Sequence, residues 1–178
     1  MDQLEESLTD DTILVSIMFV NNEVGTVEPI YDIENIVSNS NALLHVDAVQ
    51  AISHLDIKFS EFKIDTMSIT AHKFGGPKGV GILLVKNNTP IEYSQLGGEQ
   101  ETNRRAGTES VPQIVGMTKA LEIATKNRDQ NSIHLMQLKE LFLVSLQERA
   151  IPFEVNGSMV ETTGHILNLY LPFIDVET

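Results

Sequence analysis

The stretch TMSITAHKFGGPKGVG, residues 66–81, is the part of the sequence that decides the fold. It begins with a short apolar run, Thr66–Thr70, and passes through His72 and Lys73 into a glycine-rich tract that ends in a second apolar run, Val80–Val85. Runs of this length and composition are typical of buried strands. A Walker-type phosphate loop has its glycines between a strand and a helix, whereas here they lead into a strand. We therefore expect a lysine that projects from a tight turn between two strands.

Short apolar runs on the N-terminal side of this stretch alternate with loops or with segments of helical period. Thr12–Val20 and Leu43–Val46 predict two further strands, and the first of them reads as a strand buried on both faces of a parallel sheet. A helix is predicted between them, with its apolar residues at helical spacing: Ile30, Ile33, Ile36 and Val37. Strands joined by such crossovers predict an α/β fold with a mainly parallel sheet.

The pattern changes near residue 110, which predicts a division into residues 1–110, rich in strands, and residues 111–178, rich in helix. The elements expected in the second part are two helices, a short strand that ends at an Asn-Gly turn, and a last apolar run: Val111–Lys126, Asp129–Arg149, Phe153–Val155 and Ile166–Leu171. The chain begins and ends close to strand-like runs, which would leave unpaired sheet edges. We therefore expect a piece of a larger fold.

Composition excludes several classes of function. The 178 residues contain 12 Lys and Arg against 25 Asp and Glu, a formal charge of -13, which argues against binding to nucleic acid or to an anionic membrane. There is no cysteine, so disulfides, thiolate metal sites and thiol nucleophiles are excluded for this chain. Its apolar runs are far shorter than the roughly 20 residues of a membrane helix. The acidic N-terminus MDQLEESLTDD does not read as a signal peptide, which predicts a cytoplasmic location.

Polar residues follow three of the predicted strands: NNE at 21–23, HVDAVQ at 45–50 and TAHK at 70–73. In open α/β sheets, ligands bind beyond the carboxyl ends of the strands. Each group alone is more often a helix cap or a solvated side chain, but three at one edge favour a site. A lysine beside a histidine, a strand-end carboxylate and several hydroxyl groups are the parts needed to hold an aldehyde cofactor as a Schiff base.

Four motifs in order carry a resemblance to a known family: VNNEVGT at 20–26, HVDAVQ at 45–50, SITAHKFGGPKGVG at 68–81 and RAGTE at 105–109. With them the sequence resembles the NifS-like cysteine desulfurases, which are pyridoxal-phosphate enzymes of the class-V aminotransferase family with the type I fold. The resemblance implies an α/β fold that contains most of the large-domain sheet and the helices leading to the small domain, incomplete at both ends.

The resemblance also implies roles for single residues around pyridoxal 5'-phosphate. Lys73 would hold the cofactor as a Schiff base and move protons at the substrate's α-carbon. Asp47 would bind the pyridine nitrogen, and Gln50 would donate to the phenolic oxygen. Asn22 would contact that oxygen or the substrate carboxylate. Thr70 and His72 would bind the phosphate.

Further contacts implied by the resemblance lie between subunits. Thr108 would reach the phosphate of a neighbouring subunit, so that the site belongs to a homodimer. Three features depart from the family pattern: Thr70 stands where many members have serine, Phe19 stands where a histidine is common, and residues 99–104 are more polar and less rich in glycine. The histidines other than His72 lack metal-ligand spacing, so no metal site is expected.

The resemblance implies that the parent enzyme converts L-cysteine to L-alanine and leaves persulfide sulfur for iron-sulfur cluster assembly or thiolation, with a sulfur-acceptor or scaffold protein as a partner. Because the chain has no cysteine to carry the persulfide, we expect it to be inactive alone. Two alternatives remain open at this stage. One is another class-V enzyme, either a kynureninase-like lyase or an aminotransferase, and the other is a non-catalytic remnant.

Overall fold

The computed structural model describes residues 1–172 and 174, and a four-stranded sheet lies at its centre. The strands, in sheet order, are β1 (Leu14–Met18), β2 (Leu43–Asp47), β3 (Thr66–Thr70) and β4 (Gly81–Val85). The first three run parallel, and β4 is antiparallel to β3. This confirms the α/β fold with a mainly parallel sheet. Residue 173 and residues 175–178 of the predicted second part lie outside the described residues.

Four α-helices and a two-stranded antiparallel ribbon accompany this sheet in the residues that the structure describes. They are α1 (Asp2–Ser7), α2 (Ile30–Val37), the four-residue α3 (Gln100–Asn103), α4 (Val111–Glu148), β5 (Glu154–Asn156) and β6 (Asn168–Tyr170). Helix α2 crosses from β1 to the neighbouring parallel β2, as its helical period predicts. In the part of the chain that the structure describes, no helix is long and apolar enough to cross a membrane.

The core lies between the sheet and the helices that cover it. From β2 and β3 it receives Leu44, Val46, Met67 and Ile69, all less than 9% exposed. Ile30, Ile33 and Val37 face it from α2, and Met117 faces it from the first half of α4. Burying each of these side chains stabilises the fold by about 1.5–3 kcal/mol before the entropy cost of folding is counted.

Two expectations about individual elements are wrong. β1 is not buried on both faces: Val15 is 8% exposed, whereas Leu14, on the opposite face, is 52% exposed. The two helices expected in the second part are one continuous helix, α4, of 38 residues. The two residues expected to separate them, Asn127 and Arg128, are neither glycine nor proline, so nothing in the backbone forces a break.

Candidate active site

The carboxyl ends of β1, β2 and β3 lie at one edge of the sheet, because these three strands run parallel. The register pairs Met18 with Asp47, and Asp47 with Ser68. Thr70 ends β3 two residues beyond Ser68. The ladder continues past the end of β1, where the backbone N–H of Phe19 donates to the carbonyl oxygen of Asp47 at 2.8 Å. The structure therefore brings Asp47 and Thr70 to the same edge.

One face of β2 and β3 is polar, and Asp47 and Thr70 share it. Side chains alternate along a strand, so His45 and Asp47 project from the same face of β2. His45 Nδ1 lies 2.8 Å from Thr66 Oγ1, and His45 Nε2 lies 3.4 Å from Ser68 Oγ. Thr66, Ser68 and Thr70 alternate in the same way along β3, which places Thr70 on this polar face. His45 thus has the structural role expected for a histidine inside a strand.

Lys73 lies in the turn that follows β3. This is a 3-10 turn, Ala71–Phe74, whose first and last side chains are buried, whereas His72 and Lys73 are exposed. Gly75 ends the turn at φ +83°, a left-handed conformation that residues with a Cβ rarely adopt. The backbone N–H of Gly76 then donates to the carbonyl oxygen of Ala71 at 2.9 Å. The buried side chains of Ala71 and Phe74 and the left-handed conformation of Gly75 therefore hold a turn in which Lys73 is exposed.

Thr70 and His72 form a contact pair beside that lysine. Thr70 Oγ1 lies 3.1 Å from His72 Nδ1, and it also donates to the carbonyl oxygen of Val80 at 3.4 Å. Thr70 is half-buried and His72 is exposed. A hydroxyl and an imidazole held together at a strand end are donors of the type that binds phosphate oxygens.

The Asp47 carboxylate is only partly used by the protein. Its Oδ1 accepts the backbone N–H of Val49 at 2.8 Å, which closes the turn after β2. The structure gives its Oδ2 no hydrogen bond to any residue of 1–172 or to residue 174. Gln50 lies in the same turn and, like Asp47, is half-buried. One carboxylate oxygen therefore remains available for a ligand.

Asn22 lies in the loop after β1. The side chain of its neighbour Asn21 accepts the backbone N–H groups of Glu23 and Val24 at 2.8 and 3.0 Å, so Asn21 has a structural role in this loop. Asn22 is exposed. The loop begins at the same edge of the sheet as Asp47, so Asn22 joins the candidate residues at this edge.

Thr108 lies outside the strand ends and turns that carry the other six candidate residues. It is exposed, in the segment between α3 and α4. The backbone N–H of Gly107 donates to Gln100 Oε1 at 3.1 Å, and that of Ala106 donates to the carbonyl oxygen of Gln95 at 3.1 Å. No hydrogen bond within the described ranges joins Thr108 to the other candidates. Its role in a neighbouring subunit stays a prediction.

The structure contains a pair of histidines near Lys73 that the sequence did not predict. The rings of His54 and His165 stack with centroids 3.8 Å apart and planes 10° from parallel. The pKa of His165 is lowered to about 4, mainly by burial and further by the nearby His54 and Lys73. Burial also lowers the pKa of His54. No local motif marks this pair, since one ring comes from the turn after β2 and the other lies three residues before β6.

Comparison with families and solved structures agrees with this geometry. Residues 1–175 match the model of the family described as aminotransferase class-V. Among solved structures, a NifS-like protein superposes with a TM-score of 0.91 at 37% identity, over 97% of this chain and 47% of its own. DndA from Streptomyces lividans superposes with a TM-score of 0.86 at 34% identity, over 99% of this chain and 50% of its own.

Curated relatives point the same way. The chain is 43% identical over 175 residues to a protein of Bacillus subtilis (strain 168) named putative cysteine desulfurase IscS 1, covering 98% of this chain and 46% of that protein. It is 39% identical over 177 residues to the cysteine desulfurase IscS of Dictyoglomus turgidum, covering 99% of this chain and 45% of that protein. The chain therefore spans about half the length of the relatives that it matches. The motifs, the parallel sheet and the family match lead to one conclusion: the chain belongs to the class-V aminotransferase family and has the type I fold of the NifS-like proteins.

Proposed function

We propose that this chain is the central part of a pyridoxal-phosphate-dependent cysteine desulfurase. The observation that carries the proposal is the arrangement at the sheet edge: Asp47 and Thr70 share one polar face, and Lys73 projects from the turn that follows directly. The names of the relatives at about 40% identity support the choice of reaction within the family.

The residues at this edge fit the cofactor chemically. The free oxygen of Asp47 is the anion that a protonated pyridine nitrogen requires, and Thr70 with His72 supplies donors for a phosphate. The exposed amine of Lys73 is the nucleophile for the cofactor's aldehyde. When bound, the cofactor supplies an electron sink for bonds broken at the substrate's α-carbon. Lys73 then holds or moves the proton at that carbon.

Gln50 and Asn22 complete the proposed set from the two neighbouring loops. Gln50 orients the ring through its phenolic oxygen, and Asn22 binds the same oxygen or the substrate carboxylate. Thr108 serves the site of the second subunit in a homodimer. The proposed setting is the cytoplasm, where the sulfur passes to an acceptor or scaffold protein for iron-sulfur cluster assembly or thiolation.

Turnover tests the reaction class. In a protein that contains this chain together with a sulfur-accepting cysteine, we expect L-cysteine to yield L-alanine and sulfane sulfur one for one, and Lys73→Ala to remove both. The 178-residue chain alone contains no thiol to carry a persulfide, so it should release no sulfide above the Lys73→Ala background. Cleavage of L-kynurenine instead of L-cysteine by the cysteine-containing protein would overturn the desulfurase assignment.

Charge removal at Asp47 tests the ring contact. Asp47→Asn keeps a carbonyl oxygen for the Val49 N–H and therefore preserves the turn, but it removes the anion. We expect the affinity for pyridoxal phosphate, titrated by its absorbance, to fall about tenfold, which is the size of one charge-assisted hydrogen bond. Asp32→Asn, on the exposed side of α2, is the matched control. Equal affinities for the two variants would remove Asp47 from the site.

A further inference from the structure

The C-terminal segment, residues 158–168, lies against the loop that carries Asn22. Three hydrogen bonds hold it there: Val27 N–H to the Glu161 carbonyl at 2.9 Å, Ser158 N–H to Thr26 Oγ1 at 3.1 Å, and Asn168 Nδ2 to the Glu23 carbonyl at 3.2 Å. Gly25 packs directly against Ile166, where an added Cβ would come within 3.0 Å of the Ile166 side chain. The segment therefore sits on the loop that borders the candidate site.

The His54–His165 stack is a second attachment of this segment. The face-to-face ring contact joins the segment to the turn after β2. His165 Nδ1 lies 2.6 Å from Thr163 Oγ1, which orients its ring. His54 Nδ1 and His165 Nε2 are buried and have no hydrogen-bond partner among the described residues. Two neutral rings tolerate this contact, whereas two imidazolium ions at the same spacing repel each other.

The charged groups around the stack do not compensate for such a repulsion. Lys73 is the other cation that acts on His165. On the His54 side, Arg128 donates to the carbonyl oxygen of Leu55 at 3.3 Å and pairs with Asp56 at 2.8 Å, so the Asp56 carboxylate already has a cation. From α4, Ser132 contributes only a hydroxyl, 3.5 Å from the His54 carbonyl oxygen. Lys139 of the same helix contacts the segment at Thr162 and adds another cation.

We propose that the His54–His165 stack is a proton-operated clasp, which holds the C-terminal segment against the candidate site while both rings are neutral and releases it when they take up protons. The clasp consists of this chain's own residues and does not depend on the proposed reaction.

The direction of the pH effect follows from the pKa values. A released histidine has its ordinary pKa of 6.5, and burial together with His54 and Lys73 lowers that of docked His165 to about 4. The released state therefore binds more protons between these values, and docking weakens as the pH falls from 6.5 towards 4. Because His165 is only half-buried, we expect the docking equilibrium to weaken about tenfold at about pH 5.

Hydrogen exchange measures this release in the 178-residue chain, prepared without a histidine tag. Exchange is followed by mass spectrometry at about pH 7.5 and about pH 5, with each rate corrected for the intrinsic effect of pH. The expected result is about a tenfold loss of protection in peptides from residues 158–168 and in those containing Val27. Peptides from β2 and β3 should keep their protection, since they do not contact the stack.

Variants separate the clasp from general acid sensitivity. The double variant His54→Phe, His165→Phe keeps two rings that cannot take up a proton, so its protection at about pH 5 should equal that at about pH 7.5, and each single variant should lose part of the wild-type pH dependence. His134→Phe removes an exposed histidine of α4 and should behave as the wild type. A His165 ring that titrates in NMR near its ordinary pKa overturns the proposal without any variant. The proposal is also overturned if the protection of the wild-type chain does not change with pH. The same holds if the His165→Phe chain shows the full pH dependence of the wild type.

Discussion

Lys73→Ala abolishes the covalent attachment of pyridoxal phosphate to this chain, and this is the largest effect that we expect from a single substitution. Lys73 is exposed in the turn after β3, directly after the Thr70–His72 pair and at the sheet edge where Asp47 ends β2. An aldehyde reacts with any exposed primary amine, but the link is favoured at an amine that is held beside groups that bind the rest of the molecule. Attachment is measured by incubating the chain with the cofactor, reducing with borohydride and locating the modified peptide by mass spectrometry.

Two further variants make this result specific. Lys78→Ala removes an exposed lysine of the same glycine-rich tract, and because Lys78 contacts Gln113 through its backbone carbonyl, the substitution leaves that hydrogen bond in place. It should retain attachment. Lys73→Arg keeps the positive charge but has no primary amine, so it should lose attachment as completely as alanine. A modified peptide of equal yield in Lys73→Ala would show that the aldehyde reacts with exposed lysines in general.

Leu44→Ala lowers the free energy of unfolding by about 3 kcal/mol, the second large effect. Leu44 lies in β2 and is 2% exposed. Two hydrogen bonds to Asp65 hold its backbone: the Leu44 N–H donates to Asp65 Oδ2 at 2.8 Å, and the Leu44 carbonyl oxygen accepts the Asp65 N–H at 2.9 Å. The strand therefore cannot shift to fill the cavity that alanine leaves. Urea unfolding measures the change.

Leu83→Ala is the matched control for the core substitution. Leu83 belongs to the same sheet but lies in β4 and is 54% exposed, so its replacement should change stability by no more than about 0.5 kcal/mol. If both leucine variants unfold at the same urea concentration, the core does not lie where the structure places it. If Leu44→Ala retains its fold, its cofactor attachment should also fall, because β2 carries Asp47.

Local chemistry explains why the sheet could be predicted from the sequence. The run Thr66–Thr70 coincides with β3, and Leu43–Val46 lies within β2, because each strand carries apolar side chains on the face that packs into the core. β1 was harder to predict, since an apolar run does not reveal which of its two faces another element covers; Val15 is buried, whereas Leu14 on the opposite face is exposed. The places of Asp47 and Thr70 at the sheet edge follow from the strand predictions, and their roles stay predictions.

Contacts between distant parts of the chain could not be predicted in the same way. The stack of His54 and His165 depends on where α4 directs the chain after its last turn, and no spacing rule connects the two rings. The same holds for Thr108, whose expected contact lies with a second copy of the chain. A lone histidine carries no sign of the ring that it will face, so its sequence position favours only a structural role.

The continuity of α4 determines how the chain can be divided. The first half of the helix covers the sheet through Met117, Ala120, Leu121 and Ala124, and the second half bonds the C-terminal segment through Lys139. A cut at residue 110 would strip the sheet of this cover and expose apolar surface, although the residues on either side of the cut are themselves exposed. A protease could therefore reach residue 110, although a cut there would not separate two units that fold independently. Experiments that need a shorter protein should retain α4 through Ala124.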